Sequence, residues 1–443
     1  MRYYIETYGC EMNDYDSDFI ASRLRERGFT AANEPESADV LVFNTCSVRA
    51  GAEERARARI ARYAGLKRRR PELRIAVVGC MAQRLGANLG FANGLVDVIA
   101  GTDRYRELPD LIVASRERSG SGALVRTETD SEQTYGIGEP PPERRGPCAN
   151  LTIMQGCDKF CSFCIVPATR GRERSKAADE VLEEAGRLVS RGIKEITLLG
   201  QNVNSYRAGD VDFATLLRRL DGIEELARLR FTSSYPSDMS EEVLRVIAEC
   251  RAPIEHLHLP VQSGSDRTLR RMKRRHTVEW YVCLVDRARK LIPGVQLSSD
   301  LMVGFPGETE EDFRATLRLV ERVRFAECFM YKYSPREGTP AASLADDVGE
   351  EEKSRRLEEL IAVQRRLGQE VLREQLGRRA EVLIEGPSRR NPAEPFGHTR
   401  NRLMVVLPEA TGEPGDLVDV ELAELRGSTF RGIPVGARRR WES

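Results

Sequence analysis

The first hundred residues alternate between short apolar runs and longer stretches with helical periodicity. Alternation of this kind predicts a parallel sheet with helices on its faces. We therefore expect an N-terminal α/β domain over residues 1–115, with helices at Asp14–Arg27 and about Ala50–Lys67. Its predicted strands are Tyr3–Thr7, Val40–Phe43, Leu73–Val78 and Val96–Ala100.

A second alternating region, residues 148–373, repeats strand and helix six times. Its predicted strands are Leu151–Gln155, Glu195–Gly200, Leu229–Ser233, His256–Pro260, Gln296–Gly304 and Glu327–Tyr333. Between the two regions, residues 116–147 are dominated by Ser, Gly, Glu and Arg and contain a run of prolines, which predicts a linker. The overall fold class is therefore expected to be α/β.

The periodicity changes to two near the end of the chain. Residues 376–440 contain short alternating stretches separated by Gly, Pro and Asn, such as Ala380–Glu385, Arg402–Leu407 and Leu417–Glu424. This pattern predicts a third domain, a small antiparallel β-barrel.

Composition narrows the class of protein. The chain has 443 residues, of which 40% are hydrophobic and 31% charged, with a formal net charge of zero. Because the net charge is zero, the protein as a whole does not attract polyanions, and any contact with nucleic acid must depend on local basic patches. No apolar run is long enough to span a bilayer and no secretion signal is recognisable, so we expect a cytoplasmic protein without membrane contact. In that compartment the ten cysteines are thiols or metal ligands.

The central region contains a C-x3-C-x2-C motif formed by Cys157, Cys161 and Cys164. The motif follows a predicted strand, and soft thiolates at this spacing suit an iron–sulfur cluster, zinc or copper(I). A structural zinc site requires four closed ligands, so three thiolates fit better a [4Fe–4S] cluster with one open iron. The alternative is a set of ordinary buried or zinc-binding cysteines.

Three further cysteines each follow a predicted strand of the N-terminal domain: Cys10, Cys46 and Cys80. The carboxyl ends of parallel strands lie along one edge of the sheet, so the topology brings these residues to one place. We expect a second three-thiolate cluster there. The alternative is three buried cysteines at strand ends.

Together these motifs resemble the methylthiotransferase family of radical S-adenosylmethionine (SAM) enzymes. The segments Glu6–Ser17 and Asn44–Arg49 look like the MiaB branch, which acts on tRNA, and differ from the RimO and MtaB branches. One departure is Glu11, where the branch more commonly has Gln. The resemblance implies two [4Fe–4S] clusters, a partial (β/α)6 radical SAM barrel over residues 148–373 and a C-terminal TRAM domain that binds RNA.

The resemblance also suggests residues near SAM. Phe163 precedes the last cysteine of the central motif, Gly200 begins a stretch typical of the branch that continues to Tyr206, and Gln262 follows the fourth predicted strand. We expect these three residues to contact SAM, and no catalytic side chains beyond the six cluster ligands. His256 and His258 share one face of a strand, which more often indicates a barrel interior than a metal site.

Local basic groups provide the expected RNA contacts. Near the cysteine motif they are Arg170, Arg172, Arg174 and Lys176, and a dense run covers 270–276. In the C-terminal domain they are Arg389–Arg390, the stretch 397–402 and Arg438–Arg440. For the run at 270–276, a solvated helix face is an equal alternative.

The implied activity is addition of a methylthio group to C2 of N6-isopentenyladenosine at position 37 of tRNA, in the anticodon stem-loop. The implied partners are a reductant such as flavodoxin or ferredoxin and an iron–sulfur carrier. Alternatives are a sister methylthiotransferase, acting on threonylcarbamoyladenosine in tRNA or on a ribosomal-protein aspartate, and a non-enzymatic iron–sulfur sensor that binds RNA.

Overall fold

The structure is a computed structural model that describes residues 1–47, 50–89, 94–118, 122–130, 146–408 and 412–435. Most of the predicted linker, as well as Val48, Arg49 and Arg438–Arg440, lies outside these residues. The chain divides into two compact units. Unit 1 is Met1–Arg145 with Met154–Phe160 and Cys164–Ser175, and unit 2 is Gly146–Ile153, Cys161–Phe163 and Lys176–Ser443.

The strands of the described residues follow in chain order: β1 (Arg2–Tyr8), β2 (Thr30–Ala31), β3 (Val40–Thr45), β4 (Arg74–Gly79), β5 (Val98–Ala100), β6 (Leu124–Arg126), β7 (Cys148–Thr152), β8 (Met154–Gln155), β9 (Arg174–Ser175), β10 (Glu195–Leu199), β11 (Arg207–Ala208), β12 (Val211–Asp212), β13 (Arg228–Phe231), β14 (His256–His258), β15 (Gln296–Val303), β16 (Glu327–Lys332), β17 (Arg379–Pro387), β18 (Pro395–Thr399), β19 (Met404–Val406), β20 (Leu417–Arg426) and β21 (Thr429–Pro434).

The α-helices of the same residues are α1 (Glu11–Glu26), α2 (Ala50–Arg62), α3 (Ala64–Arg69), α4 (Cys80–Leu85), α5 (Leu108–Glu117), α6 (Val166–Arg170), α7 (Ala178–Ser190), α8 (Phe213–Asp221), α9 (Glu241–Glu249), α10 (Asp266–Arg271), α11 (Val278–Leu291), α12 (Glu310–Val323) and α13 (Glu350–Arg373).

Unit 1 contains a six-stranded sheet in the order β2-β1-β3-β4-β5-β6, in which every pair is parallel. In β3 and β4, Leu41 and Ile75 are buried on one face of the sheet and Val42 and Ala76 on the other, as expected for central strands covered by helices. The four predicted strands are present. Two short ones were not predicted, and β6 lies inside the stretch that the sequence suggested as linker.

Unit 2 contains two three-stranded parallel sheets, β13-β10-β7 and β14-β15-β16. A bridge between Leu229 and Pro253 links the strand β13 to the segment just before β14. The six strands therefore follow one another around the unit in chain order, with helices between them. Among the described residues β7 and β16 do not pair, as expected for an open barrel.

Local capping explains where the helices of unit 2 begin. Asp212, Ser240, Ser265 and Thr277 each accept a hydrogen bond from the backbone N–H three residues later. Thr309 does the same at the start of α12, and the Asp312 carboxylate accepts a hydrogen bond from the Thr309 N–H, which completes a capping box. These caps satisfy backbone donors that would otherwise be orphaned at each helix start.

The C-terminal residues of unit 2 close into a five-stranded barrel, β17-β18-β19-β21-β20. Its core is apolar and includes Val382, Ile384, Val420 and Phe430. The predicted barrel is confirmed, with one difference: β19 and β21 pair in parallel, while the other neighbours are antiparallel. None of the helices in the described residues combines the length and apolar character that crossing a membrane requires.

Candidate functional site

The three cysteines of unit 1 lie at one edge of its sheet. Thr45 pairs with Gly79 at the ends of β3 and β4, so Cys46 and Cys80 follow neighbouring strands at the same level. Cys10 caps the start of α1 just after β1. A Cβ atom built on Gly9 would lie 3.0 Å from the Cβ of Cys46, which shows how closely the two strand ends approach.

A pair of buried asparagines holds two of these strand ends together. The Asn13 Oδ1 accepts from the Cys10 backbone N–H (3.2 Å), while its Nδ2 donates to Asn44 Oδ1 (3.1 Å). Asn44 Nδ2 returns a bond to the Asn13 carbonyl (2.8 Å). Both side chains are fully buried, so the loss of any of these hydrogen bonds would leave a buried polar group unsatisfied and lower the stability of the fold. Sequence reasoning missed this role, although both residues stand within the motifs that suggested the family.

Gly79 allows the end of β4 to approach β3. Its φ is +93°, and a Cβ atom there would lie 2.4 Å from the Thr45 carbonyl oxygen. Only glycine satisfies both conditions without strain. The Thr45 hydroxyl donates to the Val78 carbonyl at 2.5 Å, which fixes the same two strands.

Arg170 and Asp16 form a buried ion pair behind Cys10. Arg170 Nη2 donates to Asp16 Oδ2 at 2.6 Å and Nη1 to Oδ1 at 3.3 Å, and the Tyr105 hydroxyl donates to Oδ2 at 3.3 Å. Burial raises the pKa of Asp16, and Arg170 opposes the rise. Desolvation likewise raises the pKa of the Cys10 thiol, Arg170 acts to lower it, and Cys80 adds to the rise. Arg170 therefore supplies positive charge to the cysteine edge.

The donor set at this edge fits a cluster with thiolate ligands. Cys46 and Cys80 are buried, whereas Cys10 retains exposed surface. Within the described ranges, no three His, Cys, Asp or Glu side chains are grouped so that they could hold a metal ion. A four-iron cluster is larger than one ion and spaces its thiolates further apart. The six-cysteine ligand assignment stays a prediction.

The first half of the central motif is fastened within unit 1. The Cys157 N–H donates to the Gly171 carbonyl at 3.2 Å, and a Cβ on Gly156 would lie 1.9 Å from the Arg172 carbonyl oxygen. Asp158 and Arg172 form an ion pair at 2.7 Å. Cys164 begins the segment that leads into α6 and Arg170.

The second half of the motif packs within unit 2. Cys161 is buried, and Ser162 donates from its backbone to the Met272 carbonyl and from its hydroxyl to the Arg271 carbonyl. Phe163 packs against a small apolar cluster that includes Phe305 and Tyr333.

The other suggested SAM contacts lie at strand ends of unit 2. Gly200 directly follows β10. Gln262 lies beyond β14 with a φ of +76°, its N–H donates to the Asp300 carbonyl, and its carbonyl accepts from Met302. Both positions are on the edge where barrel enzymes bind their ligands. SAM contact by Phe163, Gly200 and Gln262 stays a prediction.

The two strand histidines share one hydroxyl. Ser298 Oγ lies 3.2 Å from His256 Nε2 and 2.9 Å from His258 Nδ1. Burial, and then the nearby Arg230, lower the pKa of His256 well below its usual value. A neutral, hydrogen-bonded histidine agrees with the interpretation of this face as a barrel interior.

Three family models match the chain. They are an uncharacterized protein family, UPF0004, over residues 2–101, the radical SAM superfamily over 151–320, and the TRAM domain over 373–435. Curated proteins named tRNA-2-methylthio-N(6)-dimethylallyladenosine synthase are similar over nearly the whole length. The one from Syntrophomonas wolfei is 46% identical over 431 residues, 96% of this chain and 96% of that protein. The one from Bordetella petrii is 43% identical over 437 residues, 97% of this chain and 90% of that protein.

The chain belongs to this synthase family. The predicted resemblance is thereby confirmed. Among solved structures, the radical S-adenosylmethionine methyltransferase TsrM from Kitasatospora setae aligns with a TM-score of 0.56 at 17% identity, covering 77% of each chain. The cobalamin-dependent S-adenosylmethionine radical enzyme OxsB aligns with a TM-score of 0.53 at 14% identity, covering 82% of this chain and 56% of that one. At these identities the likeness shows the fold alone, and it confirms the α/β class.

Most basic residues after the central motif of this family member are not available for RNA, which corrects the expectation from sequence. Arg170 pairs with Asp16, Arg174 with Asp103 at 2.9 Å and Lys176 with Glu184 at 2.8 Å, and none of these side chains is more than 9% exposed. Of the four, only Arg172 is exposed.

The basic stretch 397–402 of the TRAM barrel also has internal partners. Arg400 binds both carboxylate oxygens of Glu255 at 3.0–3.1 Å, and Arg402 lies 3.4 Å from Glu195. Arg228, which is fully buried, donates to the His398 carbonyl at 2.7 Å and to the Glu381 carbonyl at 3.0 Å. These contacts dock the barrel onto the rest of unit 2. Arg389 and Arg390 remain exposed.

Proposed function

We propose that this chain is a radical SAM methylthiotransferase that modifies C2 of N6-isopentenyladenosine at position 37 of tRNA. The proposal is carried by the relatives that match nearly the whole chain at 40–46% identity, which share one synthase name. The two separate cysteine trios of the chain agree with it. The TRAM match supports RNA as the partner.

The residues that would hold the cofactors are the six cysteines. Cys157, Cys161 and Cys164 would bind one [4Fe–4S] cluster, and Cys10, Cys46 and Cys80 the other. When bound, these clusters and SAM supply a hydrogen-abstracting radical and a transferable methylated sulfur, chemistry that ordinary acid–base groups cannot provide at an aromatic C–H bond.

The chain itself orients and shields this chemistry. Asn13 and Asn44 hold the first two strand ends of unit 1 in place, and Gly79 lets β4 approach β3. Arg170 offsets part of the negative charge that thiolates bring to the edge. Cys46 and Cys80 are buried, which keeps water away from these two thiols.

Single-stranded RNA is the partner that suits such a site, because an anticodon-loop base is already unpaired and costs little to present. We place the reaction in the cytoplasm, with a flavodoxin or ferredoxin as electron donor and an iron–sulfur carrier for assembly. Arg389 and Arg390 are exposed barrel residues that would contact phosphates.

The first test is SAM cleavage. Reconstituted protein with dithionite and SAM is expected to yield 5′-deoxyadenosine, and Cys161→Ala to yield none because a cluster ligand is lost. Cys283→Ala, which alters an exposed cysteine on α11, serves as the control and should retain full cleavage. Intact SAM in the presence of loaded clusters would favour the iron–sulfur sensor instead.

The second measurement identifies the substrate. Mass spectrometry of tRNA from a deletion strain is expected to show loss of the 2-methylthio group from isopentenyladenosine. Loss confined to threonylcarbamoyladenosine, or to a ribosomal-protein aspartate, would assign the chain to a sister branch.

A further inference from the structure

Arg274 directs its guanidinium at a predicted cluster ligand. Its Nη1 lies 3.5 Å from Cys161 Sγ, within reach of an N–H···S hydrogen bond, and its Nη2 donates to the Pro260 carbonyl. Within the described part of the chain, no carboxylate forms an ion pair with Arg274. A cluster bound to Cys161 would therefore lie beside a half-buried guanidinium that donates toward its ligand sulfur.

Tyr235 supports the guanidinium from one face. The Arg274 Cζ lies 4.2 Å from the centre of the Tyr235 ring, a close cation–π contact. The tyrosine ring is buried, and its hydroxyl accepts a hydrogen bond from the Arg275 N–H at 3.1 Å. The ring can therefore not swing away without breaking this bond.

Two asparagines fix the backbone of Tyr235. Its N–H donates to Asn204 Oδ1 at 2.9 Å and to Asn202 Oδ1 at 3.2 Å, and Asn204 Nδ2 donates back to the Tyr235 carbonyl at 2.9 Å. Both asparagines belong to the stretch between Gly200 and Tyr206 that the sequence singled out. The loops after β10 and β13 thus support Arg274, which follows α10 and reaches the middle cysteine of the central motif.

We propose that Arg274 is a positioning residue that raises the reduction potential of the cluster on Cys157, Cys161 and Cys164. The inference rests on the proposed function, since it needs that cluster. A charge-assisted N–H···S bond and a nearby positive charge stabilise the more negative, reduced state of an iron–sulfur cluster. The stretch from Gly200 to Tyr206 then acts through Tyr235, which holds the guanidinium in place.

The test is an EPR-monitored redox titration of the holoenzyme without SAM. The signal that changes when SAM is added to a separate sample identifies the relevant cluster. Arg274→Met is expected to shift its midpoint potential to more negative values and to lower the reduced fraction at a fixed solution potential roughly tenfold. Arg275→Met, which removes the same charge from an exposed neighbour, is the matched control and should leave the potential unchanged.

Two further variants separate orientation from charge. Arg274→Lys keeps the charge but loses the planar fork, so an intermediate potential is expected. Tyr235→Phe keeps the ring face but loses the bond from the Arg275 N–H, so only a small shift is expected. Tyr235→Leu removes the ring altogether and should shift the potential further, in the same direction as Arg274→Met.

An unchanged midpoint potential in Arg274→Met with normal iron content would overturn the inference. An unchanged potential with a raised KM for SAM would also overturn it and would assign Arg274 to SAM binding. If Arg274→Met loads no cluster, the Tyr235 pair decides the question, and equal potentials for Phe and Leu refute the proposal. Absence of any SAM-responsive signal in the unmodified protein would instead contradict the proposed function.

Discussion

Asp16 and Arg170 show at the residue scale how a single contact connects distant parts of the sequence. Their side chains are 0% and 4% exposed, and the pair is bidentate. Asp16 lies on α1, which starts at Cys10, and Arg170 lies six residues beyond Cys164. A buried charge without its partner is costly, so the two residues depend on each other.

Replacement of Asp16 by Asn is therefore expected to destabilise unit 1. The change leaves the Arg170 charge buried without its counter-ion, and such losses amount to about 3–5 kcal/mol. The double variant Asp16→Asn/Arg170→Met should recover much of this loss because no charge remains. Urea unfolding followed by circular dichroism measures both, and a single variant as stable as the unmodified protein would contradict the argument.

The sequence contained no sign of this pair. Hydrophobic periodicity indicates which face of a helix is buried. It does not indicate which two charged side chains form an ion pair when more than a hundred residues separate them in the sequence. Arg170 was for that reason expected to contact phosphate, as were Arg174 and Lys176.

At the scale of single elements, the ends of β1, β3 and β4 decide the geometry of the candidate site. The sequence predicted these strands and the cysteines that follow them, because apolar runs bounded by glycine indicate where strands stop. The strands β2 and β6 were not predicted, because runs of two and three residues are too short to show a periodic pattern. Their pairing depends on neighbours in the sheet.

Gly79→Ala is the sharpest test at this scale. The Cβ of the alanine would collide with the backbone of β3, so we expect the free energy of unfolding to fall by at least ~3 kcal/mol. We also expect the variant to lose the cluster on Cys10, Cys46 and Cys80. Iron content should fall from about eight to about four atoms per chain.

Gly28→Ala is the matched control for that substitution. Gly28 has a similar φ of +85°, but no atom lies within 4 Å of its built Cβ. Backbone strain alone should cost about 1 kcal/mol and leave the iron content unchanged. Equal iron loss in both variants would mean that strain, not the close approach of β3 and β4, limits cluster binding.

For the larger arrangement within unit 2, the decisive contacts join the TRAM barrel to the strands beside it. Arg228 at the start of β13 donates to two barrel carbonyls, and Arg400 of the barrel binds Glu255. Arg400 and Arg402, which the sequence suggested as part of an RNA surface, are therefore docking residues. RNA contact by the barrel must depend on other positions.

Two substitutions are expected to separate docking from RNA binding. Arg228→Met leaves buried carbonyls without a donor, so stability should fall by about 2 kcal/mol and limited proteolysis should release the barrel. Arg389→Ser/Arg390→Ser should leave stability within about 0.5 kcal/mol but weaken tRNA binding and flatten its salt dependence. Filter binding at several salt concentrations measures this, and unchanged affinity would exclude the exposed pair as a phosphate contact.

The sequence by itself determined the family, the domain types and the cysteines at the strand ends, because strand periodicity, glycine positions and ligand spacing are local properties of the chain. Only the tertiary structure decided which charged side chains form ion pairs within the protein, as Arg170, Arg174, Lys176 and Arg400 do. It also revealed the supports around Cys10 and Cys161, namely Asn13 with Asn44 and Tyr235 with Arg274. Hydrogen-bond partners that lie on different elements are selected by packing, and no local pattern of residues encodes that selection.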